Sequence, residues 1–63
     1  MDMAIVVGST EIEGRQWWIV EAESSRRYHL RPDQFRGAPP RVGLLGKIGY
    51  VQGTSSMMQV FVA

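Results

Sequence analysis

Residues 16–31 read QWWIVEAESSRRYHLR, and they carry the clearest secondary-structure signal in the sequence. Aromatic and β-branched side chains crowd both ends of it, while Ser24-Ser25-Arg26 in the middle is small and polar. That composition is typical of two β-strands joined by a tight turn. We therefore predict a hairpin whose strands run from Gln16 to Glu23 and from Arg27 to Arg31.

Side chains alternate between the two faces of a strand, so the pattern also assigns each residue to a side of this hairpin. The side that we expect to face the core is wholly apolar and comprises Trp18, Val20, Ala22, Tyr28 and Leu30. A three-residue loop, Ser24-Ser25-Arg26, keeps these residues together and pairs Glu23 with Arg27 and Glu21 with His29. A loop one residue shorter or longer would turn charged side chains into the core.

Outside the hairpin, the apolar residues again favour a period of two, and glycines and prolines interrupt every longer run. Three further strands are predicted: Met3–Ile12, Lys47–Gln52 and Ser56–Ala63. Gly8 within the first marks a bulge or bend, and Glu13-Gly14-Arg15 is a turn. Pro32-Asp33-Gln34-Phe35 predicts one helical turn, because proline has its φ preset for the first helical position. Residues 36–46 form a long loop.

Five short strands with a break after the third predict an all-β fold, a small five-stranded antiparallel barrel formed by residues 1–63 as a single domain. The order of a meander, a helical turn and a final hairpin favours an OB-like barrel. An SH3-like barrel has the same number of strands and a similar turn, and it remains the alternative.

Composition excludes several classes of protein. The 63 residues contain no cysteine, which rules out a disulfide framework and thiolate metal sites. The longest apolar runs, Ala4–Val7 and Trp17–Val20, are far shorter than the roughly 20 residues of a membrane span. Met1-Asp2-Met3 does not resemble the start of a signal peptide. We therefore expect a cytoplasmic protein without membrane contact.

Charge is unevenly divided along the chain although the formal net charge is only +1. Five of the six acids lie within residues 1–25, and six of the seven basic residues lie within 26–47. Arginine forks bind phosphate, and exposed aromatic rings stack on bases. The sequence thus predicts a site for single-stranded DNA or RNA on strands two and three, extended by the long loop, with the residues Trp17, Arg27, His29, Arg31, Arg36, Arg41 and Lys47.

No arrangement of residues predicts catalysis, a metal site or a cofactor. His29 is the only histidine, and it lies among strand residues rather than beside a nucleophile. The glycines between Gly37 and Gly53 match neither a P-loop nor a dinucleotide fingerprint. We expect a non-catalytic protein without a cofactor.

The first and last strands carry apolar residues on both faces, which is typical of strands covered on both sides. With Ala4, Val6 and Ile12 inward, Ile5 and Val7 point outward; with Met58, Val60 and Val62 inward, Met57, Gln59 and Phe61 point outward. A chain this short has nothing left to cover the outer residues. The alternative function is therefore a protein-interaction or oligomerisation module. Such a module would bind a second copy of itself, as a homodimer, or another protein, through Ile5, Val7, Met57 and Phe61.

Overall fold

The computed structural model describes residues 1–50 and 58–63. Its strands are β1 (Asp2–Ile12), β2 (Arg15–Ala22), β3 (Arg27–Leu30), β4 (Phe35–Arg36), β5 (Leu45–Tyr50) and β6 (Met58–Val62). A 3₁₀ turn, Pro32–Gln34, separates β3 from β4. The predicted all-β class and the helical turn after the third strand are confirmed.

All six strands form one sheet in the order β3-β2-β1-β5-β6-β4. Neighbours are antiparallel except β4 and β6, which pair in parallel. Within the described residues the edge strands β3 and β4 do not pair with each other, so the predicted closed barrel of five strands is not confirmed. The ladder of β3 ends at Leu30 because Pro32, which lacks an N–H, starts the 3₁₀ turn two residues later.

The sheet buries one of its faces against itself. Every strand contributes to one hydrophobic cluster, which consists of Ala4, Val6, Val20, Ala22, Leu30, Phe35, Leu44, Ile48 and Val60. Trp18 and Tyr28 pack against this cluster. The core face predicted for the second and third strands is therefore confirmed, and the sheet must curl strongly to enclose it.

A β-bulge divides β1 into two parts. Val6 pairs with Val20 but Gly8 pairs with Ile19, which leaves Val7 as the extra residue of β1. Of the bulge or bend predicted at Gly8, the structure has the bulge, which reverses the inward and outward alternation beyond it. Ile12, expected to face inward, is consequently 49% exposed.

The β2–β3 hairpin has the predicted faces but a different register. Glu21 pairs with Arg27 and Ile19 with His29, a slip of two residues from the predicted pairs. The loop still has three residues but lies one residue earlier, since the Ala22 N–H donates to the Arg26 carbonyl at 2.9 Å. Ser25 adopts a positive φ of 70°, as expected for the last residue of such a loop. The slip is even, so every side chain keeps its face.

The later strands are displaced from their predicted bounds. β5 begins at Leu45 rather than Lys47, because Leu45 and Gly46 pair with Ile5 and Ala4 of β1. β4 comprises the last residue of the predicted helical turn, Phe35, and the first of the predicted loop, Arg36. The predicted ends at Gln52 and Ser56 lie outside the described residues. Gln59, expected to face outward, is only 4% exposed, and its Oε1 accepts a hydrogen bond from Arg36 Nε at 2.9 Å.

The β1–β2 connection is a two-residue turn, Glu13-Gly14, because Arg15 already pairs with Ile12. Both turn residues have positive φ, 51° and 76°, as a type I′ turn requires.

Asparagine tolerates the positive φ of Glu13 better than glutamate does. We therefore expect Glu13→Asn to raise the free energy of unfolding by about 0.5–1 kcal/mol, measured by urea denaturation. Gly14→Ala should lower it by about 1 kcal/mol, and a change of the same sign in both variants would contradict the turn assignment.

Candidate nucleic-acid interface

The outer face of β2 and β3 is the first candidate site. Trp17, Ile19 and Glu21 alternate with the buried residues of β2 and therefore share this face. His29 lies opposite Ile19, and Arg27 lies opposite Glu21. Directly paired residues on antiparallel strands lie on the same side, so an aromatic ring and two cationic or titratable side chains share one surface.

Arg27 and Glu21 form an ion pair on this surface. The distance from Arg27 Nε to Glu21 Oε1 is 3.0 Å, and the two side chains are 62% and 38% exposed. A pair this exposed contributes about 0–1 kcal/mol to stability. The Arg27 guanidinium can therefore leave Glu21 and bind a phosphate at little cost in stability. The pair also neutralises Glu21, an acid in direct contact with one of the predicted site residues.

Arg31 lies at the bend that follows β3. Its N–H donates to Gln34 Oε1 at 2.9 Å, and its carbonyl accepts from the Gln34 N–H at 3.0 Å. Its Nε lies 3.2 Å from Asp33 Oδ1, a carboxylate on a side chain that is 73% exposed. The backbone of Arg31 is thus fixed by the 3₁₀ turn, while its guanidinium stays near the surface.

An open groove of about 330 Å³ lies between this bend and the start of β2. It is lined by Arg15, Gln16, Arg31, Pro32 and Asp33. Arg15 precedes Trp17 by two residues and therefore shares its face of β2. Two arginine side chains consequently line one groove, and one of them lies on the same face of β2 as the half-buried Trp17.

Arg15 is not among the site residues predicted from the sequence, because the predicted turn Glu13-Gly14-Arg15 includes it. Recognising that the turn is only Glu13-Gly14 would have extended the strand by one residue and assigned Arg15 to the Trp17 face. The sequence signal was the alternation Arg15, Trp17, Ile19. The pairing of Arg15 with Ile12 shows that Arg15 belongs to the strand and therefore to this alternation.

Three of the predicted contacts lie elsewhere on the molecule. Lys47 of β5 pairs with Phe61 of β6, and Phe61 also pairs with Arg36 of β4. Lys47 and Arg36 therefore lie on either side of Phe61, on a different part of the outer face. Arg41 is exposed in the 37–44 connection, where its carbonyl accepts from the Leu44 N–H at 3.1 Å. The structure therefore brings together Trp17, Arg27, His29 and Arg31, but not the basic residues that follow them in the chain.

The residues predicted for a protein interface are also separated. Ile5 and Val7 are each 37% exposed on the outer side of β1. Phe61 is half-buried on β6, two strands away, with Lys47 between it and β1. Met57 lies outside the described residues.

A second open groove, of about 340 Å³, lies beside Ile5. Met3, Ile5 and Leu45 give it an apolar floor, and Glu21 and Glu23 stand along one side. Its lining is therefore apolar and acidic, in contrast to the arginine-lined groove near Trp17.

Within residues 1–50 and 58–63, no three acidic or histidine side chains converge in a way that would hold a metal ion. The same residues include no helix of the length and apolarity that a membrane span requires. Comparisons with protein-family models, with curated proteins and with solved structures find no match to this chain.

Proposed function

We propose that this chain is a non-catalytic binding protein for single-stranded nucleic acid, with its site on the outer face of β2 and β3. The observation that supports this most directly is the groove flanked by Arg15 and Arg31, together with Trp17, which shares a face of β2 with Arg15. Single-strand binding combines cations that follow the phosphate backbone with rings on which bases stack. This part of the surface offers both within two residues of each other along β2.

The order of the strands supports an OB-like barrel as the framework of the site. β1 pairs with β2 and β5, β5 pairs with β6, and β6 pairs in parallel with β4. β4 follows β3 after only residues 31–34, so β3 and β4 act as one strand broken by the 3₁₀ turn. Treating them so gives the circular order of an OB-like barrel, whose ligands lie across the second and third strands.

In the proposed complex, one base stacks on Trp17 and the adjacent phosphates contact Arg15 and Arg31. Arg27 exchanges its bond with Glu21 for a further phosphate oxygen, which is a charge-assisted contact of greater strength. His29 lies in the row between Trp17 and Arg27 and adds a hydrogen bond or a stacking surface. Such binding discriminates little between sequences because every base presents a π-face.

Replacing Trp17 tests the stacking contact. Trp17→Ala is expected to raise the dissociation constant for a mixed-sequence single-stranded oligonucleotide about 5- to 150-fold, which corresponds to the usual 1–3 kcal/mol for one stacked base. The measurement is fluorescence anisotropy of a labelled oligonucleotide at about 50 mM and 200 mM salt, where affinity should fall steeply. Trp17→Phe retains a ring and should keep most of the affinity.

Matched variants separate the site from general charge. Tyr50→Ala removes another exposed aromatic ring, from β5, and should leave the affinity unchanged. Arg15→Ala and Arg31→Ala should each make the salt dependence shallower, whereas Arg41→Ala should not. If wild-type protein shows no salt-dependent binding, or if Tyr50→Ala and Trp17→Ala weaken binding equally, the proposed function is wrong.

A further inference from the structure

An apolar strip runs along the outer face of β1 and β5, away from the arginine-lined groove. Met3, Ile5 and Leu45 are 39%, 37% and 53% exposed. Ile5 and Leu45 lie directly opposite each other in the β1–β5 ladder, and Met3 lies one row along the same face. The strip therefore exposes three large apolar side chains side by side.

The two flanks of this strip carry opposite charges in the row of Met3. On the β2 side, the Glu23 N–H donates to the Met3 carbonyl at 3.0 Å, which places Glu23 next to Met3. On the β5 side, Lys47 lies directly opposite Met3. Both charged residues are exposed, and neither forms an ion pair within the described residues.

We propose that this face binds a second copy of the chain, with a two-fold axis running along β1. That rotation packs the strip of one copy against the strip of the other. It also sets the β2 side of each strip opposite the β5 side of its partner. Glu23 of each copy then faces Lys47 of the other, and Met3 and Ile5 face their own counterparts. The surface is complementary to itself, as the contact of a two-fold dimer must be.

The charges select this arrangement over the other face-to-face one. An axis across the strands through the row of Met3 would place Glu23 against Glu23 and Lys47 against Lys47, which is repulsive. In the row of Ile5, Leu45 of each copy faces Glu21 of the other, and without bound nucleic acid Arg27 neutralises this carboxylate at 3.0 Å. The apolar pair Ile5 and Leu45 therefore meets the second copy without an uncompensated charge beside it.

A strip of this size lies at the small end of protein interfaces, so we expect a weak dimer, with a dissociation constant of about 10–100 μM. Sedimentation equilibrium over a range of concentrations measures it directly. Ile5→Glu should abolish the dimer. Ile12→Glu is the matched control, because it is the same substitution on the same strand at a residue outside the strip, and it should leave the dimer intact.

Charge reversal tests the contact itself. Glu23→Lys and Lys47→Glu should each raise the dissociation constant of the dimer at least about tenfold, since each creates two like-charged contacts across the axis. Combining them restores opposite charges and should return the constant to within about threefold of wild type. A wild-type chain that stays monomeric up to about 1 mM overturns the proposal, as does a double variant no better than the single ones.

Discussion

Gly46→Ala is expected to lower the free energy of unfolding by about 3 kcal/mol. A Cβ at this position would lie 2.7 Å from the Phe61 carbonyl oxygen and 2.9 Å from Val60 Cγ1. The nearest of these atoms is backbone, which cannot rotate aside, so β5 and β6 would have to separate. For a chain of 63 residues, whose total stability we expect to be about 3–5 kcal/mol, such a loss would leave much of the protein unfolded.

Urea denaturation followed by circular dichroism measures the effect, and Gly49→Ala is its matched control. Gly49 lies on the same strand, and its added Cβ would come within 2.8 Å of Met1 Cγ. The Met1 side chain belongs to a residue that is 74% exposed and can move away. Gly49→Ala should therefore shift the midpoint little. Equal shifts in the two variants would show that the close approach of β6 is not what requires glycine at 46.

The need for glycine reflects how tightly the sheet curls. Gly46 lies in one row with Ala4 and Val62, and Ala4 in turn pairs with Ala22. This inward-facing row is mostly made of small residues, while neighbouring rows carry Val6, Val20 and Tyr28. Alternating small and large rows fit the taper of a small barrel interior. The row thus supports the proposed OB-like curvature independently of the strand order.

Local pattern was sufficient to predict the faces of the central hairpin. Val20 and Ala22 alternate with Glu21 and Glu23, so a period of two buries the apolar pair only when the two acids face outward. The bulge at Gly8 was also predictable, because glycine within a strand weakens regular pairing. The exposure of Ile12 does not follow from the local pattern. It arises because one extra residue in β1 exchanges the inward and outward positions of every residue after the bulge.

The register of the hairpin depends on a contact that no local pattern reveals. Both Ser24-Ser25-Arg26 and Glu23-Ser24-Ser25 make three-residue loops and keep the same faces. The Ala22 N–H donates to the Arg26 carbonyl and closes the loop over residues 23–25, and the Glu23 N–H donates to the Met3 carbonyl, which attaches this loop to β1. Met3 is twenty residues away in the sequence, and its position depends on the bulge between them.

The candidate site was predictable to the same extent as the strands that carry it. Trp17, Arg27 and His29 share a face because alternation alone places them there. The groove between Arg15 and Arg31 joins the start of β2 to the bend after β3, and only the folded chain brings these two segments together. Arg36 and Lys47 also face outward, but they lie on β4 and β5 rather than beside Trp17 on β2.

The bend that positions Arg31 depends on Gln34, and Gln34→Leu is expected to lower the free energy of unfolding by about 2–3 kcal/mol. The Gln34 side chain accepts from the Arg31 N–H and donates through Nε2 to the Met58 carbonyl, both at 2.9 Å. It thereby ties the 3₁₀ turn to β6 across 24 residues of sequence. Leucine fills a similar volume but leaves the Arg31 N–H and the Met58 carbonyl without this partner. Denaturant titration measures the loss.

Two companion substitutions identify which part of Gln34 is required. Asp33→Ala removes only the exposed ion pair to Arg31, so it should cost less than about 1 kcal/mol. Gln34→Glu keeps an oxygen for the Arg31 N–H but, when ionised, turns a carboxylate toward the Met58 carbonyl. At neutral pH it should be about as destabilising as Gln34→Leu, and near pH 4 a protonated carboxyl can again donate to Met58, so its deficit relative to wild type should shrink there. A deficit that does not change with pH would mean that the bond to Met58 contributes nothing, and that the turn holds Arg31 in place through its own backbone.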